Sequence, residues 1–434
     1  MQVARLTDGT AVWLDPMRDV KSLALGIFVA GGSADEAPDE RGATHFLEHL
    51  LFKRTRRRSG AAIARITDRL GGDCDAYTTK ECVAFHARVP AARAAEAVDL
   101  LLDLTSAPAF TAADVDVERA VILEEIAEAH DVPDDLLHDT FVRALWPGHD
   151  LGAPIFGTKE SVSALTRATL AGRFRTIFRP ERTLVVAAGA LDPDRLVGLL
   201  ERGRSRRARA QLAPRLLRAP RAARCAVAIP RADLGQSHLL VGSATRLSWG
   251  DPRVPAAWIA VEILGGGVSS RLWRDVREAR GLAYHVGAHV SLHRAAGLAV
   301  ITAATQPKNL GRLVRTTGRV LGRLLRDGVS RTELARAKNQ FAAEAALSQE
   351  STASRRDTAA RAWLSRGRPY ETEEYLADVA KVTGEDVAEA AALLWGDAGR
   401  MGLGVSGPLP DAQTAGAERF ARALADDFAG EAAA

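Results

Sequence analysis

The second half of this chain repeats the plan of the first, and that repetition constrains the fold more than any single residue does. Residues 237–243 resemble 22–28 as apolar strand candidates, and 258–264 resemble the region around 44–51. Thr111-Ala-Ala-Asp-Val opens a long helical pattern, with Thr111 as N-cap and Asp114 three residues on. Ser330-Arg-Thr-Glu-Leu opens another after a similar run-up. The expectation is an α+β protein of two similar domains, each a mostly antiparallel sheet packed by helices. A length of 434 residues fits two domains of this size. The expected boundaries are 1–200 for the first domain and 225–434 for the second. Between them, 201–224 (ERGRSRRARAQLAPRLLRAPRAAR) is Arg-rich, contains Pro214 and Pro220 and has no consistent apolar face, so it reads as a linker.

Local patterns fill in the elements. Asp8-Gly9 between short apolar runs is a hairpin signal. Residues 22–30 (SLALGIFVA) read as a buried strand, and 82–89 as an alternating one. Helices are expected over 61–70, 91–104 and 111–129, with a helix-rich stretch from 134 to 175 and a strand at 183–189. In the second half, strands are expected at 284–291 and 296–304, and helices at 310–326 and 331–347. The last ten residues are expected to fray.

One stretch of the first half has no counterpart in the second. Residues 44–51 contain His45-Phe-Leu-Glu48-His49, an H-x-x-E-H pattern, where the second half has Leu264-Gly-Gly-Gly267. On a helix, His45 and His49 lie on one face, roughly 5–6 Å apart at Cβ. Two neutral imidazoles so placed can reach one zinc ion, and Glu48 projects to the same side without being a ligand. A carboxylate there can take a proton from a metal-bound water. A third ligand has to come from elsewhere. The acidic helix after Thr111 offers Glu118, Glu124, Glu125 and Glu128, of which Glu118 and Glu125 share a face.

Composition narrows the class. The net charge of +4 is too mild to argue for nucleic acid, and the basic runs 53–58 (KRTRRR) and 202–209 read as solvated. No apolar stretch is long enough to span a membrane. Residues 1–9 lack the apolar run of a secretory signal. Three cysteines, Cys74, Cys82 and Cys225, build no disulfide framework. A cytoplasmic protein is expected.

Three motifs in order then resemble one family. Residues 44–53 (THFLEHLLFK), 71–81 (GGDCDAYTTKE) and 118–126 (ERAVILEEI) are similar to the inverted-zincin metallopeptidases, the group that includes pitrilysin, insulin-degrading enzyme and mitochondrial processing peptidase. Residues 264–272 (LGGGVSSRL) and 276–286 (VREARGLAYHV) extend the resemblance into the second half. The size resembles the small, two-domain bacterial members. The resemblance implies that His45, His49 and Glu125 bind one Zn2+ per chain, that Glu48 is the general base and that Glu118 supports the site. It further implies that Arg277 and Tyr284 contact substrate near the scissile bond; taken alone, Arg277 reads as a surface residue and Tyr284 as half-core. It also implies that Asp75, Ala76 and Thr78 line a sheet edge that a peptide joins. Asp75 departs from the family, which commonly has Asn there. His285 and His289 stand about 13 Å apart on one strand face, too far for one ion.

The expected function is a zinc-dependent endopeptidase acting on peptides or small unfolded proteins. Because one chain carries both the metal motif and the Arg/Tyr pair, the resemblance implies a homodimer, with a heterodimer as the alternative. A further alternative is a partner subunit without catalysis, in which ligands are typically lost; here all of them stand.

Overall fold

A strand without a polar face must be covered on both sides, and Ser22–Ala30 is such a strand. The computed structural model describes residues 1–203, 218–409 and 414–434. These residues form two packing units, and each owns a sheet whose central strand is buried on both faces.

The first unit begins with β1 (Gln2–Arg5), β2 (Ala11–Pro16) and β3 (Ser22–Ala30). Helices α1 (Ala43–Leu51) and α2 (Gly60–Leu70) follow, then β4 (Asp73–Thr78), β5 (Cys82–Pro90), α3 (Ala94–Ser106) and α4 (Ala112–Asp131). Helix α5 (Pro133–Leu145) belongs to the second unit. The chain then returns through α6 (Lys159–Ala164), α7 (Arg167–Ile177), β6 (Thr183–Gly189) and α8 (Pro193–Gly203). The sheet order is β1-β2-β6-β3-β5-β4. Only β2 and β6 pair in parallel; every other neighbouring pair in this sheet is antiparallel. β4 is therefore an edge strand.

The second unit contains β7 (Cys225–Pro230), β8 (Ser237–Thr245), α9 (Val254–Val261), β9 (Val286–Leu292), β10 (Gly297–Thr305), α10 (Leu310–Asp327) and most of α11 (Arg331–Ser348). Helix α12 (Thr352–Arg366) belongs to the first unit. The second unit closes with α13 (Thr372–Lys381), α14 (Gly384–Trp395), β11 (Met401–Gly407) and α15 (Thr414–Ala433). Its sheet order, β7-β11-β8-β10-β9, repeats β2-β6-β3-β5-β4, with the parallel pair again first. The duplication read from the sequence is thus a duplication of sheet topology.

The units are not contiguous in sequence, whereas the expected domains 1–200 and 225–434 are. Segments 128–152 and 345–371 each pack in the unit opposite to the half they come from. The reason is burial. In the first unit, one face of β3 packs with α1, α3 and α7. Its other face carries Phe28, beside Trp13, Ala84, Leu184 and Val186, and these are covered by Ala359, Ala360 and Ala362 of α12. Arg355 anchors α12 through a bidentate pair with Asp15 of β2. In the second unit, Phe141 of α5 lies against Gly242 of β8 and Gly402 of β11, where any Cβ would collide with its ring. The linker reading of 201–224 falls mostly on residues 204–217, which lie outside the described residues.

Two end regions differ from expectation. β9 starts at Val286, so Tyr284 and His285 precede the strand. The last residues do not fray: α15 runs to Ala433, and Ala417, Ala421, Leu424 and Phe428 make a buried stripe at helical spacing. Gly318 and Gly322 of α10 let the two helices approach, since a Cβ at either would meet the α15 backbone at 2.8 and 2.7 Å. No helix among the described residues is long and apolar enough to cross a membrane.

Phe428 is 4% exposed. Truncating it to Ala should destabilise the second unit by about 3–5 kcal/mol, read as an earlier urea midpoint. An unchanged midpoint would mean that α15 is a detachable tail.

Candidate metal centre

Helix α1 forms because its ends are satisfied from outside. Its N-cap, Gly42, sits at φ 90 and offers no side chain. The Glu36 carboxylate takes that role, accepting the N–H of Gly42 at 2.8 Å and of Thr44 at 2.6 Å. Glu36 is buried, and burial pushes its carboxyl above the usual range, with the Arg173 charge opposing. Arg173, on α7, is itself buried and donates to Thr44 Oγ1 and to the carbonyls of Asp35 and Gly32. Phe46, Leu47, Leu50 and Leu51 are fully buried and fix the roll of the helix. That leaves His45 and His49 beside Glu125 of α4, and Glu48 beside Thr78 of β4.

Helix α4 brings the third donor. Thr111 accepts the N–H of Asp114 at 3.1 Å and so starts the helix. Val115, Ile122 and Ile126 bury one face. Glu125 approaches His45 Nε2 at 3.7 Å and His49 Nε2 at 3.5 Å. The two imidazole centroids are 4.7 Å apart. Donor atoms of His45, His49 and Glu125 all lie within 4.8 Å of one another, a grouping unique among the described residues.

The donor chemistry fits a divalent ion. Ligands about 2.0–2.2 Å from zinc in tetrahedral array stand roughly 3.4 Å apart, close to the two carboxylate–imidazole separations. Burial pushes His45 down to about 3, with the His49 charge adding to the effect, so its lone pair stays available. Its Nδ1 is buried with no hydrogen-bond partner. Two imidazoles and one carboxylate are a donor set that catalytic zinc sites use. His49 Nδ1 faces Glu118 Oε2 at 3.2 Å. A carboxylate only accepts, so Nδ1 carries the proton and Nε2 is left as the donor atom.

Glu48 stands outside the His45–His49–Glu125 group. Its Oε2 accepts the hydroxyl of Thr78 from the edge strand β4. Burial raises the Glu48 carboxyl above the usual range; the Thr78 bond and His49 oppose this, while Glu125 and Asp75 reinforce it. The side chain is thus held still and made more basic than a solvated glutamate. Thr78, expected along the substrate edge, donates its hydroxyl to Glu48. Asp75 is exposed, and its Oδ1 accepts the N–H of Ala76 at 2.8 Å.

Arg277 and Tyr284 come together in the second unit. The Arg277 guanidinium lies 4.0 Å from the Trp273 ring centroid and 4.5 Å from that of Tyr284. Tyr284 is 79% exposed rather than half-core, because it precedes β9. His285 precedes the strand too, so it does not share a strand face with His289.

Sequence reasoning missed three supports of the site. Glu36 and Arg173 gave no signal, being a lone acid in a polar loop and one arginine among many. The run 53–58 read as solvated, yet four of its five cations are paired: Lys53 with Glu118, Arg54 with Asp114, Arg57 with Asp99, and Arg58 with Asp99 and Asp103.

Residues 16–159 match the family model described as insulinase (peptidase family M16), and residues 164–341 match that described as the peptidase M16 inactive domain. A Mycobacterium tuberculosis protein named an uncharacterized zinc protease is 37% identical over 411 residues, covering 93% of this chain and 92% of its own length. A Bacillus subtilis protein with the same kind of name is 32% identical over 355 residues, covering 80% and 84%. A Helicobacter pylori protease structure superposes with a TM-score of 0.86 at 17% identity, covering 93% of this chain and 98% of its own. A Pseudomonas fluorescens structure, described as a peptidase M16 inactive domain, gives 0.84 at 20% identity, covering 94% and 98%. At such identities the structural likeness speaks for the fold alone.

If the three donors form one site, the purified chain should carry about one zinc equivalent after dialysis. Glu125→Gln should lower zinc affinity by at least ~10-fold, measured by chelator competition. Equal affinity in the variant would remove Glu125 from the site.

Proposed function

Because the chain belongs to the insulinase family of peptidases (peptidase family M16), we propose that it is a zinc-dependent endopeptidase acting on peptides or small unfolded proteins. The observation that carries this reading is the convergence of His45, His49 and Glu125 beside a non-ligating, Thr78-held Glu48. A zinc ion bound there supplies Lewis acidity toward a peptide carbonyl and lowers the pKa of a coordinated water to about 7. The chain's own groups do the rest. Glu48, raised by burial, takes a proton from the attacking water and returns it to the leaving amine. Glu118 keeps the His49 ring in one tautomer and orientation.

An extended substrate fits the edge strand β4, whose outer side is free of a sheet partner among the described residues. Adding a strand there brings a peptide past Thr78 and hence past Glu48. Asp75 and Ala76 lie along this edge, and the carboxylate at Asp75 already engages one edge N–H. Arg277 and Tyr284 are assigned to the substrate as well: the exposed Tyr284 hydroxyl can donate to a developing oxyanion, and Arg277 holds its ring. The three free cysteines are consistent with a reducing, cytoplasmic setting. A homodimer is the proposed assembly, since one chain carries both residue groups. Mixing a Glu48→Gln subunit with a Tyr284→Phe subunit tests it: recovered activity supports sites built from two subunits, and none recovered speaks against them.

Glu48→Gln should retain zinc and lose about 10²–10⁴-fold in kcat on a peptide library digested beside wild type. If wild type binds zinc yet cleaves nothing, alone or with a second chain, the protein is instead a non-catalytic subunit. If cleavage needs a different second chain, it is one half of a heterodimer.

A further inference from the structure

We propose that Lys53 is a positioning residue for the metal centre: its ammonium group holds the buried Glu118 carboxylate so that Glu118 aims His49 Nε2 at the ion. The inference rests on the reading of His45, His49 and Glu125 as ligands.

Glu118 is only 1% exposed. A carboxylate that deep needs partners on both oxygens, or the cost of removing it from water is not recovered. It has two among the described residues. Oε2 faces His49 Nδ1 at 3.2 Å, and Oε1 forms an ion pair with Lys53 Nζ at 2.6 Å without the angle of a hydrogen bond. Lys53 is thus the cation that allows an ionised carboxylate to stay beside the histidine. Taking it away leaves the buried carboxylate without its counter-cation, and Glu118 must turn toward water or part from His49.

Lys53 has a second grip beside it. Arg54 Nε meets Asp114 Oδ2 at 2.9 Å. Asp114 and Glu118 are one turn apart on α4, so the segment leaving α1 clasps α4 at two adjacent levels. Glu125 lies two turns farther along the same helix, roughly 10 Å away at 1.5 Å per residue. Over that lever a tilt of about 5° moves the Glu125 carboxylate by nearly 1 Å, against a ligand-distance tolerance of about 0.2 Å. The clasp therefore bears on two ligands: on His49 through Glu118, and on Glu125 through the set of α4. The rest of the basic run cannot do this. Arg57 and Arg58 pair with Asp99 and Asp103, which lie on α3, a helix without ligands.

The test uses the full chain and the metal alone. Apo-protein is titrated with Zn2+ against a chromophoric chelator, and with Co2+ while its visible absorption is recorded. Lys53→Met should bind zinc about 10-fold more weakly. Its cobalt bands should shift, since they report the angle of the histidine donors. Lys53→Arg, which keeps the cation, should recover most of the affinity and the wild-type bands. Arg57→Gln, which removes the same charge from the same run, should leave both unchanged. Far-ultraviolet dichroism of each apo-protein checks folding, and if Lys53→Met does not fold, Lys53→Gln and Lys53→Arg carry the comparison. Wild-type affinity and spectrum in the methionine variant would overturn the proposal, as would an equal loss in Arg57→Gln. A wild-type protein that binds no metal would instead overturn the ligand reading itself.

Discussion

The structure depends on the meeting of two helices that are far apart in sequence, α1 and α4, at the carboxylate of Glu118. A metal site tolerates errors of a few tenths of an ångström in ligand position. Apolar packing alone cannot deliver that, because dispersion and hydrophobic contact are non-directional. Directional contacts between ionised groups can. Glu118 supplies them, hydrogen-bonded to His49 of α1 on one oxygen and ion-paired with Lys53, just beyond α1, on the other. At the opposite end of α1, Glu36 and Arg173 do the same, both buried, with Glu36 capping the helix and Arg173 binding Thr44. Thus each end of the histidine-bearing helix is held by a buried charge.

This explains why duplication did not yield a second His-His-Glu group among the described residues. The second sheet repeats the first strand for strand. The helix in the place of α1 is α9, whose residues Val254–Val261 read VPAAWIAV and are apolar throughout. It offers no donors, and the backbone after it turns into Glu262–Gly266, where a Cβ at Gly265 would strike the strand β9. The same topology thus serves in one half as a scaffold for buried charge and in the other as a hydrophobic core. The second half keeps its exposed chemistry instead, in the Trp273–Arg277–Tyr284 stack.

The exchange of α5 and α12 follows from a simpler constraint. Each central strand is apolar on both faces, and each half of the sequence supplies enough helices for only one face of its own sheet. The helix after α4 closes the sheet of the second unit, and the helix after α11 closes that of the first. Sheets covered in this way tolerate long apolar strands without exposing them.

The sequence by itself determined whatever is local. Spacing put His45, Glu48 and His49 on one helical face, set Glu118 and Glu125 on another, and started α4 at Thr111. It also disclosed the repeat, because duplicated strands keep their turn residues and periodicity. The stripe of Ala417, Ala421, Leu424 and Phe428 was equally legible, but it was passed over because chain ends usually fray. Only the tertiary structure decided which sheet face α5 and α12 would cover, since an amphipathic helix carries no address for its partner. It alone joined Lys53 to Glu118, Arg173 to the α1 entrance and Thr78 to Glu48. These contacts link residues tens to more than a hundred positions apart. A charge looks the same in sequence whether it meets water or a buried partner, and only the folded chain distinguishes the two.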